Sequence, residues 1–287
     1  MTIEHIILTI YLLACMVIGL VVARRAFVSD DDYWVGGRNI GVSMNALAIM
    51  AALASGGSIV GVMGLAYSKG IPFALSLFSG AVIGFPLASV LIANPLRNFG
   101  KYTITDFLAF RFPHPIIRIG VPLVILFTFT IYIIAQLKAA GITAEGLLGL
   151  PYHQGVVLFT IVFIIYVSFG GMLAVTWTDM FQGALMIVII IGTAFYLTIN
   201  NDLNNLPLIE ATNQSPALGS LEKQSLTSYI GSFVIWAAAI SVVPHIVMRV
   251  YSSKDSYSAK LSLNVAILLY SVMILSSLFV IVPMGKI

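Results

Sequence analysis

Eight apolar blocks alternate with short polar connections along the chain: Ile6 to Ala23, Met44 to Tyr67, Ile71 to Ala93, Ile119 to Leu148, Gln154 to Phe169, Trp177 to Ile199, Ser228 to Met248, and Leu261 to Pro283. Roughly 20 apolar residues cross the hydrocarbon core of a bilayer as a helix, so the pattern predicts an all-α, polytopic membrane protein of about eight transmembrane helices. The second block differs from the others in carrying Ser55, Gly56, Gly57 and Ser58 at its middle. Lipid supplies no partner for a freed N–H or C=O, so a break there requires protein or a watery cavity beside it. One reading is a discontinuous helix whose freed carbonyls hold a cation near the midplane. The other is a G-x-x-x-G packing face through Gly57 and Gly61.

Composition agrees with the pattern. With 60% hydrophobic and 9% charged residues among 287, and a mean hydropathy of +1.04, the chain has too little polar surface for a soluble globule of this size. The net charge of +3 reflects loops on one side of a membrane and does not imply nucleic acid. Cys15 lies alone in the first block, which excludes an internal disulfide and a thiol-paired metal site. MTIEHI carries no Lys or Arg, whereas Arg24 and Arg25 follow the first block; it reads as an anchor with its N-terminus outside, not a cleaved signal.

Alternating the loops from Arg24 onward sorts the remaining charges. Arg24, Arg25, Arg38, Arg97, Lys101, Arg111, Arg118, Arg249, Lys254 and Lys260 fall on the cytoplasmic side, ten of the 14 basic residues. Lys69, Lys223 and Lys286 fall outside and Lys138 within a span, the asymmetry expected of a protein of the cytoplasmic membrane. Ser29 to Asn39 reads as a short cytoplasmic connection with a turn at Gly36 and Gly37. Phe107 to Phe112 suits a short interfacial helix, ended by Pro113 and Pro115. Asn200 to Thr227 is a long outer loop with no evident fold.

Three further features carry candidate chemistry. In SFGGMLAVTWTDMFQG, Ser168 to Gly183, a glycine pair turns the chain and Asp179 follows about one turn into the next span. A carboxylate there is costly unless it meets water or a cation; the alternative is a structural acid in a helix's first turn. Lys138 lies well inside its span, two turns from Glu145 and about 10 Å from it along the helix, so the two share a face and are placed on one wall of a polar cavity. The amine either attracts an anion or substitutes for a metal cation, or else it snorkels outward or pairs with another helix. Pro244 and His245 fit a helix end, since Arg249 follows at once; the alternative is a proton relay. No nucleophile, base and orienter set appears, so an enzyme is not indicated, and neither is a cofactor.

YWVGGRNIG leading into the broken block, the GGMLAVTWTDMFQG turn, and VPHIVMR followed by SSKDS resemble the sodium:solute symporter family. RNFGKYTITDFLAFRF, IYIIAQ and LLGLPYHQGVVL are most similar to its acetate/monocarboxylate permease branch, and the KDS loop also resembles sodium/pantothenate symporters. The resemblance implies a leucine-transporter-type pair of inverted five-helix repeats in a single transmembrane domain. Residues 1–43 would form a peripheral first helix and loop, 44–199 the first repeat, and 228–287 the start of the second. It implies sodium bound by the carbonyls of Ala54 and Gly57 and an inward sodium path past Asp179. Substrate contacts would come from Ser55, Ser58, Gln136 and Trp236, with Lys138 as a further candidate that lacks a counterpart in the acetate branch. A proline-transporting branch has a carboxylate at the position matching Gly56, which is absent here.

On that resemblance the span that supplies hydroxyl ligands opposite Ala54 and Gly57 would follow Pro283. The chain is expected to be a fragment of a longer gene product, or to be completed by another subunit or by self-association. The function implied is sodium-coupled uptake of a small organic carboxylate such as acetate or pantothenate. The alternatives are a non-transporting scaffold or receptor on the same fold, and a proton-coupled carrier using Lys138.

Overall fold

The computed structural model describes residues 3–200, 219–220 and 224–284, which are almost wholly helical; an isolated bridge pairs Ile40 with Ser253. The expected outer loop from Asn200 to Thr227 lies mostly outside the described residues. In chain order the helices are α1 (Ile3–Ala26), α2 (Asp30–Val35), α3 (Val42–Leu53), α4 (Val62–Lys69), α5 (Ile71–Leu91), α6 (Ala93–Phe99), α7 (Ile104–Arg111), α8 (Pro115–Leu148), α9 (Tyr152–Asn200), α10 (Leu226–Val242), α11 (Pro244–Ser252) and α12 (Ser256–Ser276). A π-helical turn, Ser277–Ile281, extends α12.

Among the described residues six helical stretches are long and apolar enough to cross a membrane, namely α1, α5, α8, α9, α10 continued by α11, and α12 with its extension, and α3 with the segment through α4 forms one further bent pair. The difference from eight blocks lies in α9, where the fifth and sixth blocks join in one 49-residue element. At 1.5 Å per residue it is about 70 Å long, more than twice the ~30 Å hydrocarbon thickness. Its interruption is at Gly171, with φ 54 and ψ −154. That conformation suits glycine, and the Tyr33 carbonyl sits 2.5 Å from where a β-carbon would stand, so the expected turn at the Gly-Gly pair is present as a kink.

The connection after α1 departs from a plain loop. Ser29 caps α2 by accepting the Asp32 N–H at 3.1 Å, and three aspartates occupy the first turn, where the helix dipole favours negative charge. Gly36, left-handed at φ 63, closes it. The interfacial helix before α8 is α7, wider than Phe107 to Phe112 because Thr103 and Asp106 form a reciprocal capping box. Pro115 then opens α8, since a residue without an N–H fits the first turn.

Loops assigned above to one side do meet on one face. Arg97 donates to the carbonyls of Ser253 and Lys254 at 2.6 and 2.8 Å, and Arg38 pairs with Asp31 at 3.1 Å. The core lies where α3, α5 and α12 pack, with Ile246, Val250 and Tyr251 of α11 filling the end near that face. Large apolar side chains such as Ile119, Leu126 and Phe127 of α8 and Val188 and Phe195 of α9 point outward, tolerable in lipid and not in water. This is a multi-pass membrane protein.

The close helix crossing is not the one read from Gly57 and Gly61. A β-carbon at Gly61 would meet nothing within 4 Å, whereas at Gly80 it would stand 2.4 Å from the Phe233 carbonyl and at Gly84 2.9 Å from that of Ala237. Gly80 and Gly84, one turn apart on α5, are the small-residue face that lets α10 approach.

Candidate functional site

The break in the second block is real and begins at Ala54, where α3 leaves helical geometry at φ −73 and ψ 53. The Ala54 N–H still reaches the Met50 carbonyl at 2.8 Å; the Ser55 N–H turns back to Leu53 at 2.8 Å, and the Ile59 N–H takes the Ser55 carbonyl at 2.8 Å. Ser58 donates its hydroxyl to the Leu53 carbonyl, spanning the break by side chain where the backbone cannot. A π-helical turn, Gly57–Gly61, then leads into α4, and the two halves meet at 51°. Among the described residues none of the turn hydrogen bonds ends on the Ala54 carbonyl, which leaves it open to a ligand.

A cavity of about 320 Å³ opens on one side of the break. Ser55, Gly57 and Ser58 line it from the break, Tyr132 and Gln136 from α8, Trp236 and Ile240 from α10, and His245 from α11. The Gln136 amide lies over the glycines: a β-carbon on Gly57 would be 3.4 Å from its Nε2, and one on Gly56 3.2 Å from its Oε1 and 2.7 Å from Ala139 Cβ. Here α8 fills the space that a carboxylate at position 56 would need, a steric reason for glycine there. A second cavity, about 330 Å³, lies on the other side of the break against α1 and α9, lined by Ala54, Ser55, Gly56, Tyr11 and Gln182. Ser55 borders both.

Of the expected residues, Ser55, Gly57, Ser58, Gln136 and Trp236 therefore come together, and Ala54 sits immediately behind them. Lys138 does not join them. At 100° per residue it lies on the far side of α8 from Gln136, and both it and Glu145 are exposed. The two do share a face, as the spacing required, but it is the outer face, not a cavity wall.

Asp179 stands apart from the break, in the second half of α9. Its carboxylate is paired with Arg249 of α11, whose other guanidinium nitrogen donates to Thr176 Oγ1 at 2.6 Å. Arg249 is only 3% exposed, so the sequence-based reading of it as a solvated loop charge is corrected. The cation that makes Asp179 tolerable is a side chain of this chain, 70 residues away in sequence. Arg249 also lines a third cavity, about 290 Å³, together with Tyr33, Trp34, Gly171, Met172 and His245.

Sequence reasoning missed Tyr132 and His245 as cavity-lining groups and Arg249 as a buried partner. Tyr132 was within reach, being four residues before Gln136 on one helical face. Arg249 was not, because its burial depends on α11 starting afresh at Pro244 and turning inward. Pro244 does end a helix, since α10 stops at Val242, but it also begins the next one.

The overall fold matches that of a solved transporter structure. The whole chain matches the structure of a Na⁺-coupled sialic acid symporter in a substrate-bound, outward-open state, with a TM-score of 0.82 at 19% identity. It spans 60% of that protein's length. The likeness establishes the leucine-transporter-type fold expected from the sequence. Residues 33–287 match the profile of the sodium:solute symporter family. The chain belongs to the sodium:solute symporter family.

Proposed function

We propose that this chain is the ion- and substrate-binding part of a carrier that couples inward sodium movement to uptake of a small organic carboxylate, such as acetate or pantothenate. The observation that carries the reading is the break at Ala54 to Gly57, with an Ala54 carbonyl that no turn hydrogen bond takes, beside a cavity lined by Ser55, Ser58, Gln136 and Trp236. A dehydrated cation needs oxygen ligands, which freed carbonyls of a discontinuous helix supply; the hydroxyls and amide next to them suit a small polar solute. Residues 44–199 act as the first repeat and 228–287 as the opening of the second. The N-terminus faces out across the cytoplasmic membrane. Asp179 lies on the sodium release path, closed by Arg249 in the state described and open when that pair separates.

Uptake of labelled acetate and pantothenate by the carrier in proteoliposomes tests this. An inward sodium gradient at constant pH should drive accumulation. Uptake indifferent to sodium but driven by a pH gradient would remove sodium coupling. The exposed position of Lys138 gives a proton-coupled reading no support.

A further inference from the structure

A carboxylate entering the central cavity leaves water for a space whose walls are mostly apolar, so it requires donors, and a cationic or strongly polar N–H is worth most. The chain offers few. Lys138 faces outward on the opposite side of α8, and Arg249 is committed to Asp179 and Thr176. The Ser58 hydroxyl is already donated to Leu53. Three side chains on the cavity wall carry an N–H, those of Gln136, Trp236 and His245, and of these His245 is the one that also borders the cavity beside Arg249.

The surroundings of His245 are those of a held, unfinished site. Its ring stacks on Tyr132 at 5.3 Å between centroids and 25° between planes, and meets Phe129 edge-on at 5.8 Å and 88°. Two aromatic faces on α8 thus fix the imidazole without using either nitrogen. Nδ1 is enclosed and has no hydrogen-bond partner among the described residues; Nε2 has none among them either and is not enclosed, so it is the nitrogen that a ligand in the cavity can reach. A carboxylate oxygen that accepts from Nε2–H makes a hydrogen bond that the ring lacks in the free protein. His245 is also the residue that lines both the central cavity and the cavity beside Arg249, so it stands between the break and the Asp179–Arg249 pair.

We propose that His245 is a specificity-determining residue: its imidazole donates an N–H to the carboxylate of the substrate in the central cavity, with Tyr132 and Phe129 holding the ring in place. The assignment rests on the carboxylate reading above. Two substitutions separate donor from shape. His245→Phe keeps a ring against Tyr132 and removes both nitrogens; His245→Gln returns an N–H near the position of Nε2.

The experiment is initial-rate uptake of labelled acetate by the intact carrier in proteoliposomes under a sodium gradient, with acetamide as the uncharged competitor. His245→Phe is expected to raise KM for acetate by on the order of ten- to a hundredfold, as for loss of a hydrogen bond to a charged group. It should also abolish the preference for acetate over acetamide, while half-saturation by sodium stays within about twofold. His245→Gln should recover part of the affinity, which a purely structural role would not predict. An unchanged KM and unchanged acetate preference in both variants, or a lower rate with no change in KM, overturns the assignment alone. If the unsubstituted carrier takes up neither acetate nor pantothenate, the carboxylate reading fails first and this assignment with it.

Discussion

Replacing Arg249 by Met should unsettle the protein more than replacing Asp179 by Asn, and the two changes together should cost less than their sum. The side chains are 4% and 17% exposed, so both charges are largely removed from solvent. Removing one member of such a pair strands the other, at about 3–5 kcal/mol when burial is complete. The residual exposure of Asp179 lets the stranded carboxylate reach some water, which places Arg249→Met near the lower end, about 3 kcal/mol. Asp179→Asn leaves Arg249 a neutral amide oxygen and Thr176 Oγ1 as acceptors, so about 1–2 kcal/mol is expected, the charge-assisted part of one hydrogen bond. With both charges gone nothing is stranded, and the cycle should show a coupling of about 2 kcal/mol. The assay is thermal or denaturant unfolding of the four purified proteins in one detergent. Additivity within about 0.5 kcal/mol would show that the pair is not energetically coupled and would refute the placement of Arg249 as the counter-ion.

Other expectations follow from single sites. Asp179→Asn in the functioning carrier should lower the turnover number of sodium-driven uptake more than it raises KM, because the residue lies away from the central cavity; an effect on KM alone would place it in the substrate site. Gly80→Ala should destabilise the fold by about 1–3 kcal/mol, since the new methyl meets backbone that cannot yield, whereas Gly61→Ala should be neutral or slightly stabilising; melting temperatures in detergent distinguish them. At the basic face, the hydrogen bond from Arg38, with a further one from Tyr102, holds the Asp31 carboxyl below the usual carboxylate range. A carboxyl whose value is lowered on folding stabilises above its unfolded value of about 3.9 and loses that contribution as pH falls through the folded value. Asp31→Asn should therefore flatten the acid limb of the stability profile below about pH 4, by less than about 1 kcal/mol because the group is exposed.

How much of this was readable in advance varied with the physical range of the interaction. The break at Ser55 to Ser58 was legible because glycine and serine in the middle of an apolar run conflict with lipid locally, without reference to any other segment. Lys138 and Glu145 show the limit of such reasoning. Helical spacing put them on one face correctly, yet spacing alone cannot say whether that face looks inward, which depends on where α9 and the break pack against α8. Arg249 shows a second limit: its position after an apolar block and before SSKDS fits a loop charge, and only the fresh start of α11 at Pro244 turns it toward Asp179. The helix at Asp30–Val35 was an avoidable omission, since Ser29 followed by three aspartates is a capping sequence in its own right.

The central claim is that sodium and substrate meet at the break between α3 and α4. Ser55 borders the cavities on both sides of it, so a cysteine at that position, in a Cys15→Ala background, reports on both. The rate of its alkylation by N-ethylmaleimide in membrane vesicles should fall several-fold when sodium and acetate are added together, and little with acetate alone. A rate that neither sodium nor any carboxylate changes would contradict the account.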